Sequence, residues 1–430
     1  MLLVNINTKS QTPLYLQVFE ALKQRIDTQV LHPGDRLPAT RVLARQLGVN
    51  RSTIYKAYEE LWALGYIESK PGSYSTVRKP PEIIRKPETN TTPGFDWDQR
   101  IISTSRALIQ RTKAQLFHTP PHEVVDFRPL SPDPELFAPQ EFKKCLSRVV
   151  NEQGSHILQY GDPMGYLPLR KYLARRMKKH GIYVNTEEIV ITNGIQNALE
   201  LIMKLFTRPG MEIMVEEPSY SAVLPLFSYY GVKVIPIPVR CTGLDLDMME
   251  RKLKDHHPAF LYTIPNFHNP CGVTTSQEHR ERLLALARKY QLLILEDGFE
   301  EEMKYFGKAV LPVKSMDKYR QVLYLGTFSK VLFPGLRVGW VAGDKKLAAH
   351  LGMLKKAFAI SGNDLDQAAL EMYCREGHFE HHLKRMHREY RKRMQIAMRN
   401  ARECLTGELA DYTKPSGGYT FWLEVTNPKI

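Results

Sequence analysis

Four short, continuously apolar runs between residues 213 and 328 restrict the fold more than any other feature of the chain. They are IMVEEP (213–218), AFLYTIP (259–265), LLILED (292–297) and VLYLGTF (322–328), and amphipathic helical stretches separate them. Apolar strands that alternate with helices are typical of a parallel sheet covered by helices on both faces. The sequence therefore predicts an α/β domain with a mostly parallel central sheet.

A stretch rich in Pro, Thr and charge, PPEIIRKPETNTTPGFDWDQ (80–99), separates this region from an N-terminal segment in which helix signals follow one another closely. Such a composition, without helix or strand periodicity, is typical of a linker. At 430 residues, the chain also exceeds the usual size of a single core. We predict an N-terminal domain at 1–79, a linker at 80–120 and a large domain at 121–430.

The composition excludes several classes of protein. The sequence has no run of 18 apolar residues and no secretory signal, so we expect a cytoplasmic protein without membrane contact. The five cysteines include no CxxC pair, and neither His-His pair has the spacing of a zinc motif, so no metal site is expected. The net charge is +14, and residues 1–79 hold 11 Lys or Arg against 6 Asp or Glu. This surplus favours an anionic partner.

The N-terminal segment has the pattern of a helix-turn-helix. An apolar residue at every fourth position predicts a helix over 14–29. Thr40 is expected to cap a second, short helix, and Gly48 provides the reversal that ends it. Either Asn50 or Ser52 is expected to cap a third helix, RSTIYKAYEELWALG. Two short helices joined through a glycine turn predict a DNA-binding motif.

The third helix has the two faces that a recognition helix needs, because its first turn is polar and its other side is apolar. The residues expected to pack inward are Ile54, Tyr58, Leu61 and Trp62. YIES (66–69) and YSTV (74–77) flank KPGS, which predicts a two-stranded wing whose Gly72 lets a backbone N–H approach a phosphate. A helical packing module with incidental charge is the alternative interpretation.

Two segments, PLYLQVFEALKQRI and GDRLPATRVLARQLGVNRSTIYKAYEELWALGYIES, resemble the GntR-family winged-helix domain over nearly all of residues 10–78. The resemblance implies that this part of the chain binds double-stranded operator DNA. The positions that match the DNA contacts of the family are Arg41, Arg51, Ser52, Thr53, Lys56 and Gly72.

The large domain carries the groups that an aldehyde cofactor requires. A cofactor of this kind needs a lysine, an acid opposite it, an aromatic lid and a cradle for an anion. GTFSKVLFPGLRVG places Lys330 in a loop after a strand. The side chains nearby that could converge on a phosphate are Thr327, Ser329 and Arg337. Asp297 ends another strand and could keep a pyridine nitrogen protonated.

Three further segments contribute candidates at strand ends. ITNGIQNALELI begins a helix whose first N–H groups, at Gly194, Ile195 and Gln196, are expected to face a phosphate. EEPSYSA provides Tyr220 as a stacking ring, and PNFHNPCG provides Asn269 as a donor to a ring hydroxyl. Each residue has an ordinary structural alternative, but their shared position at strand ends favours a ligand site.

The order YGDPMGYLPLR, ITNGIQNAL, VEEPSY, NPCG, LED, TFSK, PGLRVGW resembles fold-type I pyridoxal-phosphate aminotransferases, and the GntR-like segment ahead of it resembles the MocR/GabR-type regulators. The resemblance implies pyridoxal 5'-phosphate as the cofactor, with the catalytic pair Lys330 in the internal aldimine and Asp297 at the pyridine nitrogen. It also implies a head-to-tail homodimer, in which Tyr160 reaches the phosphate of a partner subunit. The other implied cofactor contacts are Tyr220, Asn269, Gly194, Ile195, Gln196, Thr327, Ser329 and Arg337.

Two departures from the aminotransferase pattern concern activity. Phe299 stands where many relatives have a Tyr whose hydroxyl bonds the cofactor. The chain stops at Ile430, whereas relatives continue to an Arg that clamps the substrate carboxylate, so the C-terminal small domain is expected to be incomplete and transamination weakened. The basic segment HHLKRMHREYRKRM (381–394) is expected to form a solvated helix of that small domain.

Together these features favour a DNA-binding transcription regulator whose aminotransferase-like domain senses an amine or amino acid through Lys330. The first alternative is an active aminotransferase that transfers an amino group between an amino acid and a 2-oxo acid. The second is a cofactor-free interaction scaffold, in which Lys330 and Asp297 are incidental.

Overall fold

The computed structural model describes residues 6–8, 10–69, 74–78, 96–115, 130–405 and 410–425. The chain divides into two compact units, residues 1–100 and residues 101–430. Among the described residues, no helix combines the length and apolar character needed to cross a bilayer.

The N-terminal unit is a winged helix-turn-helix. Its helices are α1 (Leu14–Asp27), α2 (Thr40–Leu47) and α3 (Arg51–Ala63), and its antiparallel strands are β1 (Ile67–Glu68) and β2 (Thr76–Val77). The apolar stripe predicted for α1 is buried against residues of the other two helices, among them Leu43 and Ile54. Gly48 ends α2 in the left-handed conformation, with a φ of 65°. The predicted order of helix, turn, helix and wing is therefore confirmed.

Two details of this unit differ from the sequence predictions. Thr40 is the first residue of α2 and does not cap it, because Ala39 occupies the cap position and no side-chain capping bond forms. Trp62 was expected to pack inward, but it is 61% exposed, whereas Leu61 beside it is fully buried. The buried stripe of α3 ends at residue 61. With 3.6 residues per turn, the next residue, Trp62, faces solvent.

The second unit is an α/β domain. Its helices are α4 (Ser103–Gln115), α5 (Pro139–Gln153), α6 (Leu167–Lys179), α7 (Gly194–Phe206), α8 (Leu224–Tyr229), α9 (Leu246–Leu253), α10 (Gln277–Lys289), α11 (Lys345–Ala359), α12 (Asp364–Arg375) and α13 (His378–Cys404). Its strands are β3 (Ile189–Thr192), β4 (Glu212–Glu217), β5 (Lys233–Arg240), β6 (Gly243–Leu244), β7 (Leu261–Thr263), β8 (Ile294–Asp297), β9 (Val322–Thr327), β10 (Gly339–Ala342), β11 (Ala410–Tyr412) and β12 (Leu423–Val425).

Eight of these strands form the central sheet, in the order β3-β10-β9-β8-β7-β4-β5-β6. The five strands from β9 to β5 run parallel, and β10 is antiparallel to both of its neighbours. Strands β11 and β12 form a separate antiparallel pair. The four apolar runs of the sequence are β4, β7, β8 and β9, so the mostly parallel α/β fold is confirmed.

Helices cover both faces of the sheet. Ile294 and Leu295 are consecutive residues of β8, and they pack into different cores. The core around Ile294 includes apolar residues of α9 and α10, and the core around Leu295 includes residues of α7 and α11. A strand that is buried on both faces favours apolar residues at successive positions, which explains the apolar runs in the sequence.

Helix α4 lies within the stretch 80–120 that the sequence analysis assigned to a linker. Arg111 of α4 donates a 2.9 Å hydrogen bond from its Nη1 to the hydroxyl of Ser228 in α8. The helix is weakly amphipathic and mostly exposed, so hydrophobic periodicity gave no signal for it.

Candidate functional site

A cavity of about 240 Å³ lies where the carboxyl ends of β7, β8 and β9 meet the start of α7. Parallel strands direct the loops after their carboxyl ends to one edge of the sheet, which makes this edge the usual ligand site of an open α/β fold. The predicted site residues that line the cavity are Ile195, Gln196, Tyr220, Asn269, Asp297, Thr327, Ser329, Lys330 and Arg337. The fold therefore brings together nine candidates that are dispersed over more than 140 positions of the sequence.

Asp297 is the last residue of β8 and is only 2% exposed. The hydroxyl of Tyr262 donates a 2.7 Å hydrogen bond to its Oδ2, and the backbone N–H of Phe299 donates a 3.1 Å bond to its Oδ1. Burial raises the pKa of Asp297 to about 7, although these bonds and the charge of Lys330 act in the opposite direction. A cationic partner in the cavity would therefore be strongly favoured next to this carboxylate.

Lys330 lies in the turn that follows β9. Its Nζ donates a hydrogen bond to the carbonyl oxygen of Leu130, and its own carbonyl accepts a 2.6 Å bond from the hydroxyl of Tyr419. Burial lowers the pKa of the Lys330 amine, and the nearby carboxyls of Glu300 and Asp297 oppose that shift. A lysine with a lowered pKa is a better nucleophile near neutral pH, because more of it is uncharged.

An anion cradle is formed by the loops after β9 and β3. The Nη1 of Arg337 donates a 3.2 Å hydrogen bond to the hydroxyl of Ser329, whose N–H donates a 3.0 Å bond to Thr327 Oγ1. Gly194, the first residue of α7, has a φ of 78°, and a Cβ added there would lie 2.7 Å from Arg337 Nη2. Glycine at this position lets the guanidinium approach the N-terminus of α7, where free N–H groups also favour an anion.

Two buried residues near the site were not found by sequence reasoning. Tyr262 is fully buried in β7 and holds Asp297, although 35 positions separate the two in the sequence. Glu300 is 1% exposed, accepts a 3.2 Å bond from the N–H of Tyr419, and leaves its Oε1 without a hydrogen-bond partner in the described part of the chain. The sequence around these residues does not mark either of them as part of a site, because Tyr262 lies in an apolar run and Glu300 begins a run of three glutamates.

One predicted residue, Tyr160, lies apart from the cavity. Its side chain is 81% exposed, and it lines a separate open cleft together with Leu158 and Asp364. Tyr160 was predicted to act on the phosphate of a partner subunit, a role that a single chain does not test.

The predicted DNA-contacting residues lie on one stretch of the N-terminal unit. Arg41 is exposed in the first turn of α2, and Arg51 and Ser52 are exposed at the start of α3. Lys56 is also exposed, with its Nζ 4.1 Å from the centre of the Tyr15 ring, and Thr53 is half-buried. The remaining candidate, Gly72, lies outside the described residues.

Comparison with known proteins separates the chain into the same two parts. Residues 133–429 match the family model of aminotransferase class I and II, and residues 14–77 match that of bacterial regulatory proteins of the gntR family. The chain belongs to the aminotransferase class I and II family. Its aminotransferase-type domain follows a GntR domain, which is the arrangement of MocR-like HTH-type regulators.

Two regulators match nearly the whole chain, and a solved aminotransferase matches its larger part. The HTH-type transcriptional regulator YdfD of Bacillus subtilis is 31% identical over 96% of this chain and 84% of its own length. The rhizopine catabolism regulatory protein MocR of Rhizobium meliloti is 28% identical over 91% of this chain and 78% of its own. The crystal structure of LysN, an alpha-aminoadipate aminotransferase of Thermus thermophilus, superposes with a TM-score of 0.70 at 31% identity, covering 77% of this chain and 83% of LysN.

The cofactor of an aminotransferase-type domain is pyridoxal phosphate, and the residues of this cavity fit it. A lysine amine and a buried carboxylate line one cavity, and a Cβ at residue 194 would crowd the Arg337 guanidinium in the anion cradle. When bound, the cofactor withdraws electrons from the Cα of an attached amino compound.

The pKa of Asp297 leads to a prediction about stability without cofactor. Its pKa rises from an ordinary 3.8 to about 7 on folding, so its contribution to stability is full below pH 4 and is lost as the pH rises through 7. We expect cofactor-free wild-type protein to lose more stability between pH 5 and pH 8 than Asp297→Asn does. Urea unfolding at both pH values measures the difference, and identical pH profiles would contradict the assignment.

Proposed function

We propose that this chain is a transcription regulator that holds pyridoxal phosphate covalently on Lys330 and senses an amine or amino acid at that site. The observation that carries the proposal is that Lys330 and Asp297 line one cavity in a chain that also carries a winged helix with an exposed basic first turn. A DNA-binding domain and a reactive lysine in one chain couple small-molecule recognition to the control of transcription.

In the proposed site, each residue has one task. Lys330 Nζ bonds the cofactor, and the carboxylate of Asp297, fixed by Tyr262, keeps the ring nitrogen protonated. Tyr220 stacks on the ring and Asn269 donates to its hydroxyl. The groups that hold the phosphate are Thr327, Ser329, Arg337 and the backbone N–H groups of Gly194, Ile195 and Gln196.

With the cofactor held on Lys330, the amine nitrogen of an effector would take over the bond to the cofactor, and Lys330 Nζ would leave as a free amine. The free lysine and the effector would change the contacts of the cavity and so favour one arrangement of the regulator over another. Such a shift requires that the effector bind the two arrangements with different affinity. The winged helices then bind operator DNA more or less tightly.

A head-to-tail homodimer is the proposed assembly. Apolar side chains near Tyr160 are exposed in the single chain, including Leu158 at 65% and Ile360 at 56%. Burying them against a second copy would contribute hydrophobic free energy. It would also bring Tyr160 to the phosphate of the other subunit.

Replacing Lys330 tests the proposal. We expect cofactor-loaded wild-type protein to show the visible absorption band of lysine-bound pyridoxal phosphate, and Lys330→Ala to lose it. The operator affinity of wild-type protein should change when a panel of amines and amino acids is titrated, whereas that of the variant should not. Absorption spectra and fluorescence anisotropy with labelled operator DNA measure the two effects.

Two controls make the result specific. Lys330→Arg keeps the positive charge but offers no nucleophilic amine, so it should behave like Lys330→Ala. Lys346→Ala removes an exposed lysine at the start of α11 and should behave like wild type. An amine response that survives in both Lys330 variants would contradict the proposed role of Lys330 in sensing, and multiple-turnover formation of a 2-oxo acid would favour the aminotransferase alternative.

A further inference from the structure

A second cavity, of about 290 Å³, lies on the aminotransferase-type domain between α13 and the segment that follows β8. Four cationic side chains line it, and its lining includes no carboxylate. They are Lys304, Arg388, Arg391 and Lys392. The last three recur at positions i, i+3 and i+4 of α13, which places them on one face of that helix. These three residues of the basic segment 381–394 are exposed, as expected of a solvated helix, and together with Lys304 they line an open concave surface.

Within the described residues, none of these four side chains forms an ion pair. Two acidic residues that neighbour them in the sequence are engaged elsewhere: Glu389 pairs with Arg393 at 2.9 Å, and Glu302 pairs with Arg176 at 2.7 Å. The guanidinium of Arg391 lies 5.5 Å from the centre of the Phe306 ring, a contact that supports the side chain without neutralising it. Four cations around one cavity repel each other unless an anion joins them.

Tyr305 forms part of the cavity wall. It is 8% exposed, and its hydroxyl is buried rather than exposed to the cavity. Its backbone N–H donates a 2.9 Å bond to the carbonyl of Ser416, and Lys304 bridges to Gly417, so this wall of the cavity is held in place.

Lys304 is the half-buried cation of the cavity. Burial lowers the pKa of its amine, and the charge of Arg280, which does not line the cavity, lowers it further, against a weaker opposing effect of Glu301. An anion placed beside Lys304 would favour the charged amine.

We propose that this cavity binds a phosphate group. A phosphate carries up to two charges on a compact tetrahedral group, and its oxygens accept the paired N–H bonds of arginine. A single carboxylate would leave most of the four cations unmatched. Neither the GntR domain nor the residues around Lys330 take part in this site, so the proposal stands independently of the proposed function.

Inorganic pyrophosphate is the probe for the test, titrated calorimetrically into the full chain loaded with pyridoxal phosphate. The loaded protein is required because free phosphate would otherwise occupy the cradle at Arg337. We expect one site per chain, and a loss of affinity of about tenfold or more in the double variant Arg388→Gln/Arg391→Gln, because each change removes a charge-assisted hydrogen bond. Tyr305→Phe keeps all four charges and should leave the affinity unchanged, because the hydroxyl that it removes is not exposed to the cavity.

Arg399→Gln is the matched control. Arg399 is exposed on the same helix but does not line the cavity, and its loss should leave pyrophosphate affinity unchanged. Equal affinity in wild type and in the double variant would overturn the proposal, and so would the absence of any heat of binding to loaded wild type.

Duplex DNA of random sequence carries the same group and is the second probe. If the double variant loses affinity for pyrophosphate and retains that for random DNA, the site takes a free phosphate. If both affinities fall, and Arg399→Gln changes neither, the cavity contacts the DNA backbone. Loss of neither affinity would contradict a phosphate site.

Discussion

Replacing Asp297 by asparagine should weaken pyridoxal phosphate binding by about a hundredfold or more. Asparagine has nearly the same volume and keeps an oxygen that can accept the 2.7 Å hydrogen bond from Tyr262. It has no charge, so a protonated ring nitrogen would lie in a fully buried position without its counterion. Removing one partner of a buried ion pair costs about 3–5 kcal/mol, and about 1.4 kcal/mol corresponds to a factor of ten.

The neighbouring residue provides a matched control. Glu296 is as deeply buried as Asp297, at 1% against 2% exposed, and burial raises the pKa of each to about 7. Its side chain points to the other face of the sheet, where it accepts 2.7 Å hydrogen bonds from the N–H groups of Val313 and Lys314. Glu296→Gln should therefore affect stability but leave cofactor affinity unchanged.

Equilibrium dialysis or a titration followed by cofactor absorbance measures the two dissociation constants. Equal losses of cofactor affinity in Asp297→Asn and Glu296→Gln would mean that reduced protein stability causes the effect, and not the missing charge beside the ring nitrogen. An unchanged affinity in Asp297→Asn would contradict the proposed role of the carboxylate.

The sequence predicted the parts of the fold and the site that depend on local pattern. Lys330 and Asp297 stand next to continuously apolar strands, and the carboxyl ends of parallel strands lie at the same edge of a sheet. The pattern therefore located both residues before any distance was known. The same reasoning predicted the position of Gly194, because a glycine between an apolar strand and an amphipathic segment favours a turn into a helix.

These patterns could not predict contacts between neighbouring strands. The hydroxyl of Tyr262 reaches Asp297 from the adjacent strand, and which residues of two parallel strands face each other depends on register. The buried position of Glu300 could not be foreseen either, because it is followed by Glu301 and Glu302 in a run that looks solvent-exposed. Pairing and burial of this kind follow from tertiary packing, which a single sequence does not reveal.

The second large expected effect is a loss of operator affinity when the predicted DNA-binding surface is changed. We expect Arg51→Ala to weaken operator binding by about ten- to a hundredfold, since one arginine contact to a base edge is worth about 1–3 kcal/mol. Arg51 is exposed in the first turn of α3, the part of a recognition helix that meets base edges and phosphates. Its Nε lies 3.4 Å from the hydroxyl of Thr40, which orients the side chain beside the start of α2.

Arg45→Ala is the control for this prediction. Arg45 is equally an exposed arginine of the N-terminal unit, but it lies in the last turn of α2 and is not among the predicted DNA contacts. Circular dichroism and sedimentation should show both variants folded and in the same assembly as wild type. The loss of operator affinity in Arg51→Ala should then exceed the loss in Arg45→Ala at every salt concentration.

The salt dependence distinguishes the two kinds of contact that Arg51 could make. If Arg51 binds a phosphate, its loss should reduce the slope of log affinity against log salt by about one unit and weaken all sequences alike. If it binds a base edge, the slope should stay nearly constant and discrimination at one operator position should relax. Operator affinity that does not change with salt in wild type would contradict DNA binding by this surface, because every phosphate contact releases counterions.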